Sequence, residues 1–328
     1  MKKITALLLA LFMLVAALAG CGKQNDTNQT DKLSIVTTIF PEYDWVREIL
    51  GDKADNAEIT MLLDNGVDLH SYQPTADDIV KISDCDLFIY VGGESDEWVE
   101  DALRNAANEN MKVINLLEVL GDSVKTEEIV EGMQEEEHEY EDAEEHEHEE
   151  EADEHVWLSL KNAKMLVRVI SKALQELDPN NKDIYAANAD AYVKKLSALD
   201  AEYQAAVDAA SNKTILFGDR FPFRYLVDDY GLHYYAAFVG CSAETEAGFE
   251  TISFLAKRVD EWKLPCVLTI EGAQHKIAET VVRNTTAKNQ RVLTMDSMQS
   301  TTSKDVKNGT TYLSVMEKNL SVLKEALR

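Results

Sequence analysis

From position 33 onward, short runs of apolar residues take turns with longer amphipathic stretches. Leu33 to Phe40 (LSIVTTIF) reads as a strand stopped by Pro41, and a helix is predicted from about Tyr43 to Leu50. Strand Glu58 to Leu63, a loop over Asp64 to Thr75 and helix Ala76 to Ser83 follow, with Ile79, Val80 and Ile82 toward the core. Strand Leu87 to Val91, helix Glu97 to Ala107 and strand Lys112 to Leu116 complete the unit. Short apolar strands separated by helices imply a parallel sheet covered on both faces. Ala163, Leu166, Val167, Ile170, Leu174 and Leu177 then mark one face of a helix from Leu160 to Leu177, ended by Asp178-Pro179. Tyr185, Ala189, Tyr192, Leu196, Leu199, Tyr203 and Ala206 alternate spacings of four and three. They predict one uninterrupted helix about 40 Å long at 1.5 Å per residue. A second strand-helix series occupies the rest, ending in a helix over Thr310 to Leu327. The expected fold class is α/β: two lobes, each with a mainly parallel sheet flanked by helices, bridged by one long α-helix. The N-terminal lobe covers 33–180, the linking helix 181–210 and the C-terminal lobe 211–328.

The first residues set the compartment. Lys2-Lys3, the apolar run Ile4 to Leu18 and Leu18-Ala19-Gly20-Cys21 form a charged, then apolar, then small-residue pattern. That is the pattern of a secretory signal, too short for a stable membrane span. A cysteine directly after Leu-Ala-Gly resembles a bacterial lipobox, which makes 1–20 a signal peptide and Cys21 a lipidated N-terminus. The polar stretch 21–32 is then a tether. These features place the protein outside the cytoplasm, anchored in the cell membrane. Cys85, Cys241 and Cys266 remain. Cys241 and Cys266 are the pair nearest in sequence, and an odd count leaves one thiol free. The absence of any Cys-x-x-Cys spacing argues against a thiolate metal site.

Charge narrows the partners. A formal net charge of −28 argues against nucleic acid and against an anionic membrane surface. Seventeen Asp and Glu residues, and no Lys or Arg, lie between Glu127 and Glu154, so the rest of the chain is only moderately acidic. The stretch from about 124 to 152 reads as a disordered acidic loop. His138, His146 and His148 are interleaved there, a composition that also suits metal collection by imidazole. Two more of the seven histidines carry the chemistry. His70 stands in Asp-Leu-His-Ser-Tyr-Gln-Pro-Thr just past a strand, and His155 in Asp-Glu-His-Val-Trp-Leu-Ser just before a helix. Loops at the carboxyl ends of parallel strands form the ligand crevice of α/β sheets. Glu244, Glu271 and His275 sit in loops of the C-terminal lobe and can line such a cleft, or simply face water. Gly92-Gly93 and Gly240 read as loop punctuation, without dinucleotide or phosphate-loop spacing.

The two histidine motifs resemble those of the zinc- and manganese-specific substrate-binding proteins of ABC transporters, in order and at the same separation. The likeness extends over nearly the whole mature chain, including Tyr230-Gly231-Leu232 and Thr294-Met295-Asp296-Ser297. It implies a monomeric, non-enzymatic protein of two lobes joined by a rigid helix, which captures a divalent ion for a permease. It implies His70 and His155 as two metal ligands and Asp296 as a third. The remaining ligand position falls on Arg220, whose guanidinium has no lone pair to give. Asp219, one residue earlier, is the candidate, with water or a loop histidine as alternatives. Zn²⁺ is the expected cargo and Mn²⁺ the alternative. A secreted zinc hydrolase is the competing class, against which stands the absence of a His-Glu-x-x-His helix.

Overall fold

The computed structural model describes residues 32–134, 151–242, 246–272 and 275–328. The signal segment, Cys21, the tether up to residue 31, His138, His146, His148 and Glu244 lie outside them.

In the N-terminal lobe β1 (Leu33–Thr37), β2 (Ala57–Met61), β3 (Leu87–Tyr90) and β4 (Lys112–Asn115) form one parallel sheet in the order β2-β1-β3-β4. Leu87, Phe88 and Ile89 are all fully buried, as a central strand covered on both faces requires. The helices are α1 (Phe40–Leu50), α2 (Ala76–Asp84), α3 (Trp98–Arg104) and α4 (Leu116–Leu120). Pro41 does not merely end a strand. It sits in the first turn of α1, where a missing N–H costs nothing. The Glu42 carboxylate accepts from the amides of Thr38 and Ile39 at 2.9 and 3.2 Å, closing back on the residues that lead into the helix. Val80, expected inside, is 59 % exposed, and Ile82 alone of that trio is fully buried.

α5 (Leu160–Leu177) starts at Ser159, whose side chain accepts from the Asn162 amide at 3.0 Å. α6 (Lys182–Ala209) is the 28-residue connecting helix. It touches both lobes. Asn188 donates to the Ile49 carbonyl of α1 at 3.0 Å, and Tyr203 donates to the Met316 carbonyl of the closing helix at 2.7 Å.

The C-terminal lobe contains β5 (Thr214–Leu216), β6 (Arg220–Phe221), α7 (Arg224–Tyr230), β7 (His233–Tyr235) and β8 (Phe238–Val239). It continues through α8 (Phe249–Trp262), β9 (Cys266–Thr269), α9 (Lys276–Asn284), β10 (Arg291–Thr294), α10 (Ser303–Lys307) and α11 (Tyr312–Ala326). β5 pairs β7, β6 pairs β8 and β9 pairs β10, all parallel. A parallel bridge between Phe217 and Leu268 joins the first pair to the last. The resulting order, β10-β9-β5-β7, repeats the winding β4-β3-β1-β2 of the other lobe. The repeat lives in topology rather than in sequence.

α11 crosses back to the N-terminal lobe. Tyr312 donates its amide to Asp44 of α1 at 2.9 Å and its hydroxyl to the Trp157 carbonyl at 2.6 Å. Burial pushes the Asp44 carboxyl from 3.8 to about 7. A folded-state value above the unfolded one means that the fold binds this proton more tightly. The stability it contributes is present below pH 4 and is lost as pH rises through about 7. Asp44→Asn keeps the acceptor for Tyr312 without the charge. It is expected to melt higher than the parent at pH 8, by several degrees, with the gap closing toward pH 4 in paired thermal melts.

Candidate metal centre

His70 is placed by the loop after β2. Asp68 caps a single 3-10 turn, Leu69–Ser71, by accepting from the His70 amide at 3.1 Å, and the buried Leu69 anchors it. The ring Nδ1 lies 2.8 Å from Ser95 Oγ and 3.4 Å from Glu154 Oε2. His155 arrives on a second one-turn segment, Val156–Leu158, whose three side chains are fully buried. Asp153 Oδ1 accepts from the His155 amide at 2.9 Å and from its Nδ1 at 3.0 Å. His155 is itself fully buried.

Acceptors on the Nδ1 side of both rings hold the ring proton there and leave both Nε2 lone pairs free. Those two nitrogens converge, 3.2 Å apart. Two lone pairs at that distance repel unless a donor or a cation lies between them. A tetrahedral ion with nitrogen bonds of about 2.0–2.1 Å holds its ligand nitrogens about 3.3 Å apart, which fits.

The C-terminal lobe supplies the opposite wall. Cys241 follows β8, its amide donating to Glu127 Oε1 at 2.9 Å, and its Sγ lies within 4.8 Å of a ligand atom of each histidine. Gln299 is 3 % exposed, and its Nε2 lies 2.5 Å from His155 Nε2 and 3.2 Å from His70 Nε2. A neutral amide thus donates to the two lone pairs. Glu271 holds the segment that carries it, accepting from the Ser297 amide at 2.6 Å, Ser297 Oγ at 2.7 Å and the Gln299 amide at 3.1 Å. Burial and the neighbouring Asp296 push the Glu271 carboxyl up. Trp157 donates its indole N–H to the Ser297 carbonyl at 2.8 Å, tying this segment to the His155 turn.

Among the described residues, His70, His155 and Cys241 are the group of three ligand-bearing side chains that converge. The structure does not bring Asp219 or Asp296 into that group. Asp219 spends its oxygens on Thr269 Oγ1 at 2.5 Å and on the amides of Arg220 and Ile270 at 2.9 and 3.4 Å. Asp296 accepts from the Met298 amide at 2.8 Å, in a turn where Met298 takes a left-handed φ of 65°. Arg220 pairs with Asp68 at 2.7 Å and donates to the Ser242 carbonyl at 3.1 Å. Burial raises the Asp68 carboxyl, but the charge and hydrogen bond of Arg220 outweigh it and leave that carboxyl below its ordinary value. His275 Nδ1 rests 3.1 Å from Thr269 Oγ1.

Cys-x-x-Cys spacing describes ligands from one loop. Here the fold delivers a lone cysteine to two distant histidines. The three thiols are free, so Cys241 and Cys266 are not paired.

Comparison with known proteins agrees with this architecture. Residues 35–326 match the family described as zinc-uptake complex component A, periplasmic (ZnuA). The zinc-binding lipoprotein AdcA of Streptococcus pneumoniae is 33% identical over 325 residues, 99% of this chain and 61% of that protein. The chain thus spans about three fifths of AdcA. The high-affinity zinc uptake system protein ZnuA of Bacillus subtilis is 32% identical over 322 residues, 97% of this chain and 95% of that one. The crystal structure of the Zn(II)-bound ZnuA-like domain of Streptococcus pneumoniae AdcA superposes with a TM-score of 0.69 at 30% identity, covering 90% of this chain and 99% of that domain. Because the match runs from β1 to the end of α11, the chain belongs to the ZnuA family.

Proposed function

We propose that this protein captures Zn²⁺ outside the cytoplasm, between His70 and His155, and hands it to the permease of an ABC importer. The observation that carries this reading is the convergence of two Nε2 lone pairs, 3.2 Å apart, on rings whose far sides face acceptors. Imidazole suits zinc better than manganese. The zinc-binding names of the relatives point the same way. A role as capture protein rather than enzyme fits a centre in which His155 and Gln299 are buried and His70 and Cys241 half-buried. In this reading Asp219 and Asp296 do not hold the ion. The protein acts as a monomer tethered through lipid on Cys21, which keeps the carrier at the membrane that holds its permease.

His138, His146 and His148 serve as weak accessory sites in this reading. The ends of their segment are clasped by an antiparallel bridge between Thr126 and Ala152 and by the Glu127 amide on the Glu151 carbonyl at 2.9 Å. Replacing 135–150 by a short Gly-Ser linker should therefore leave the centre intact. In competition titrations, parent and variant are expected to bind one equivalent of zinc tightly and to prefer it to manganese. Only weak additional binding should disappear from the variant. A protein that binds no zinc tightly, or prefers manganese, would overturn the reading.

A further inference from the structure

We propose that Cys241 is the third protein ligand of this centre, bound as thiolate, and that Arg220 is the clasp that brings it there. The inference rests on the reading that the two imidazoles hold a metal ion. Its first ground is position. Cys241 comes from the opposite lobe, and its Sγ shares a group within 4.8 Å with ligand atoms of both histidines.

Charge is the second ground. A dication in a buried site is stabilised by an anionic ligand, because desolvated charge must be matched nearby. His70 and His155 bind as neutral rings, and Gln299 is a neutral amide. Asp153 and Glu154 face the Nδ1 sides of the rings, away from the converging nitrogens. Among the described residues of the group, only Cys241 can supply a negative ligand. Binding releases its proton to solvent as the sulfur–metal bond forms.

The third ground is the construction around it. The Arg220 guanidinium has no lone pair to give a metal and instead spans the lobes, from Asp68, two residues before His70, to the Ser242 carbonyl, one residue after Cys241. One cation thus ties the loop of His70 to the loop of Cys241. A sulfur bond of about 2.3 Å and nitrogen bonds of about 2.0–2.1 Å put sulfur about 3.6 Å from each nitrogen. Cys241 already shares a group within 4.8 Å with both histidines, so its loop must close on the two nitrogens when the ion binds. A soft sulfur donor would add to the preference for zinc over manganese.

Co²⁺ is the probe, because a thiolate on cobalt gives a near-ultraviolet charge-transfer band that imidazole does not. The protein loaded with one equivalent of Co²⁺ is expected to show the band. Cys241→Ser should bind Co²⁺ and Zn²⁺ at least tenfold more weakly and lose the band, while Cys266→Ser keeps it. Melting of metal-free Cys241→Ser should match the parent, showing that the loss is local. One equivalent of Co²⁺ bound without the band, or a band that persists in Cys241→Ser, overturns the thiolate and leaves zinc capture standing. Failure of the parent to bind either ion overturns both.

Discussion

Replacing His155 by Ala is expected to lower zinc affinity by at least about a hundredfold, near 2.7 kcal/mol. The ring is fully buried and turns its one free nitrogen toward His70 and Gln299, so no other side chain can take its place without moving. The variant loses the proposed ligand nitrogen together with the ring that Asp153 orients. Asp153 still accepts from the backbone amide of residue 155, so its carboxylate keeps one donor. Metal-free protein should therefore melt a few degrees lower, from the cavity and the lost hydrogen bond, without unfolding. Two measurements separate ligand loss from damage to the fold. Competition with a chromophoric chelator gives the affinity, and melts with and without zinc give the metal-induced shift. The shift should nearly vanish in the variant. Affinity within threefold of the parent would remove His155 from the centre.

Much of this was legible in the chain, for identifiable reasons. Core strands such as Leu87–Tyr90 announce themselves because both faces are buried and every position is apolar or aromatic. The connecting helix shows because a stripe kept over 28 residues needs one unbroken period. His70 and His155 stand in loops whose neighbours, Asp68 and Asp153, are also the residues that cap and orient them. Local contacts leave local patterns.

The C-terminal wall leaves none. Cys241 reaches the centre because two-residue β8 lies parallel to two-residue β6, a pairing too short to have a period. Gln299 reaches it through a turn built by Glu271, twenty-eight residues away, and a left-handed Met298. A carboxylate near a metal motif looks like a ligand in sequence. That Asp219 meets Thr269, and Asp296 the Met298 amide, is a matter of tertiary packing alone. The short helices α4 and α10 escaped for a simpler reason. Each is five residues long and held by a side-chain cap, Asn115 on the Glu118 amide and Thr302 on the Asp305 amide.

Gly240→Ala is expected to weaken zinc binding at least tenfold, although residue 240 carries no ligand. A Cβ at this position would lie 2.9 Å from His155 Cε1, 3.1 Å from its Nδ1 and 3.0 Å from the Phe221 carbonyl oxygen. The carbonyl belongs to β6, paired in register with Val239, and has little freedom to retreat. The His155 ring must give way instead. Its Nδ1 is held by Asp153, so a tilt stretches that hydrogen bond and swings Nε2 off the point it shares with His70. A few tenths of an ångström matter more to a metal bond than to a packed core. Affinity should therefore fall further than stability, with apo melting within a few degrees of the parent. Gly93→Ala is the matched control on the other histidine's side. Its Cβ would collide with Glu154 Oε1 from a left-handed φ of 86°, so both the fold and the His70 support should suffer. Equal losses of affinity and stability in Gly240→Ala would show that the residue serves packing alone.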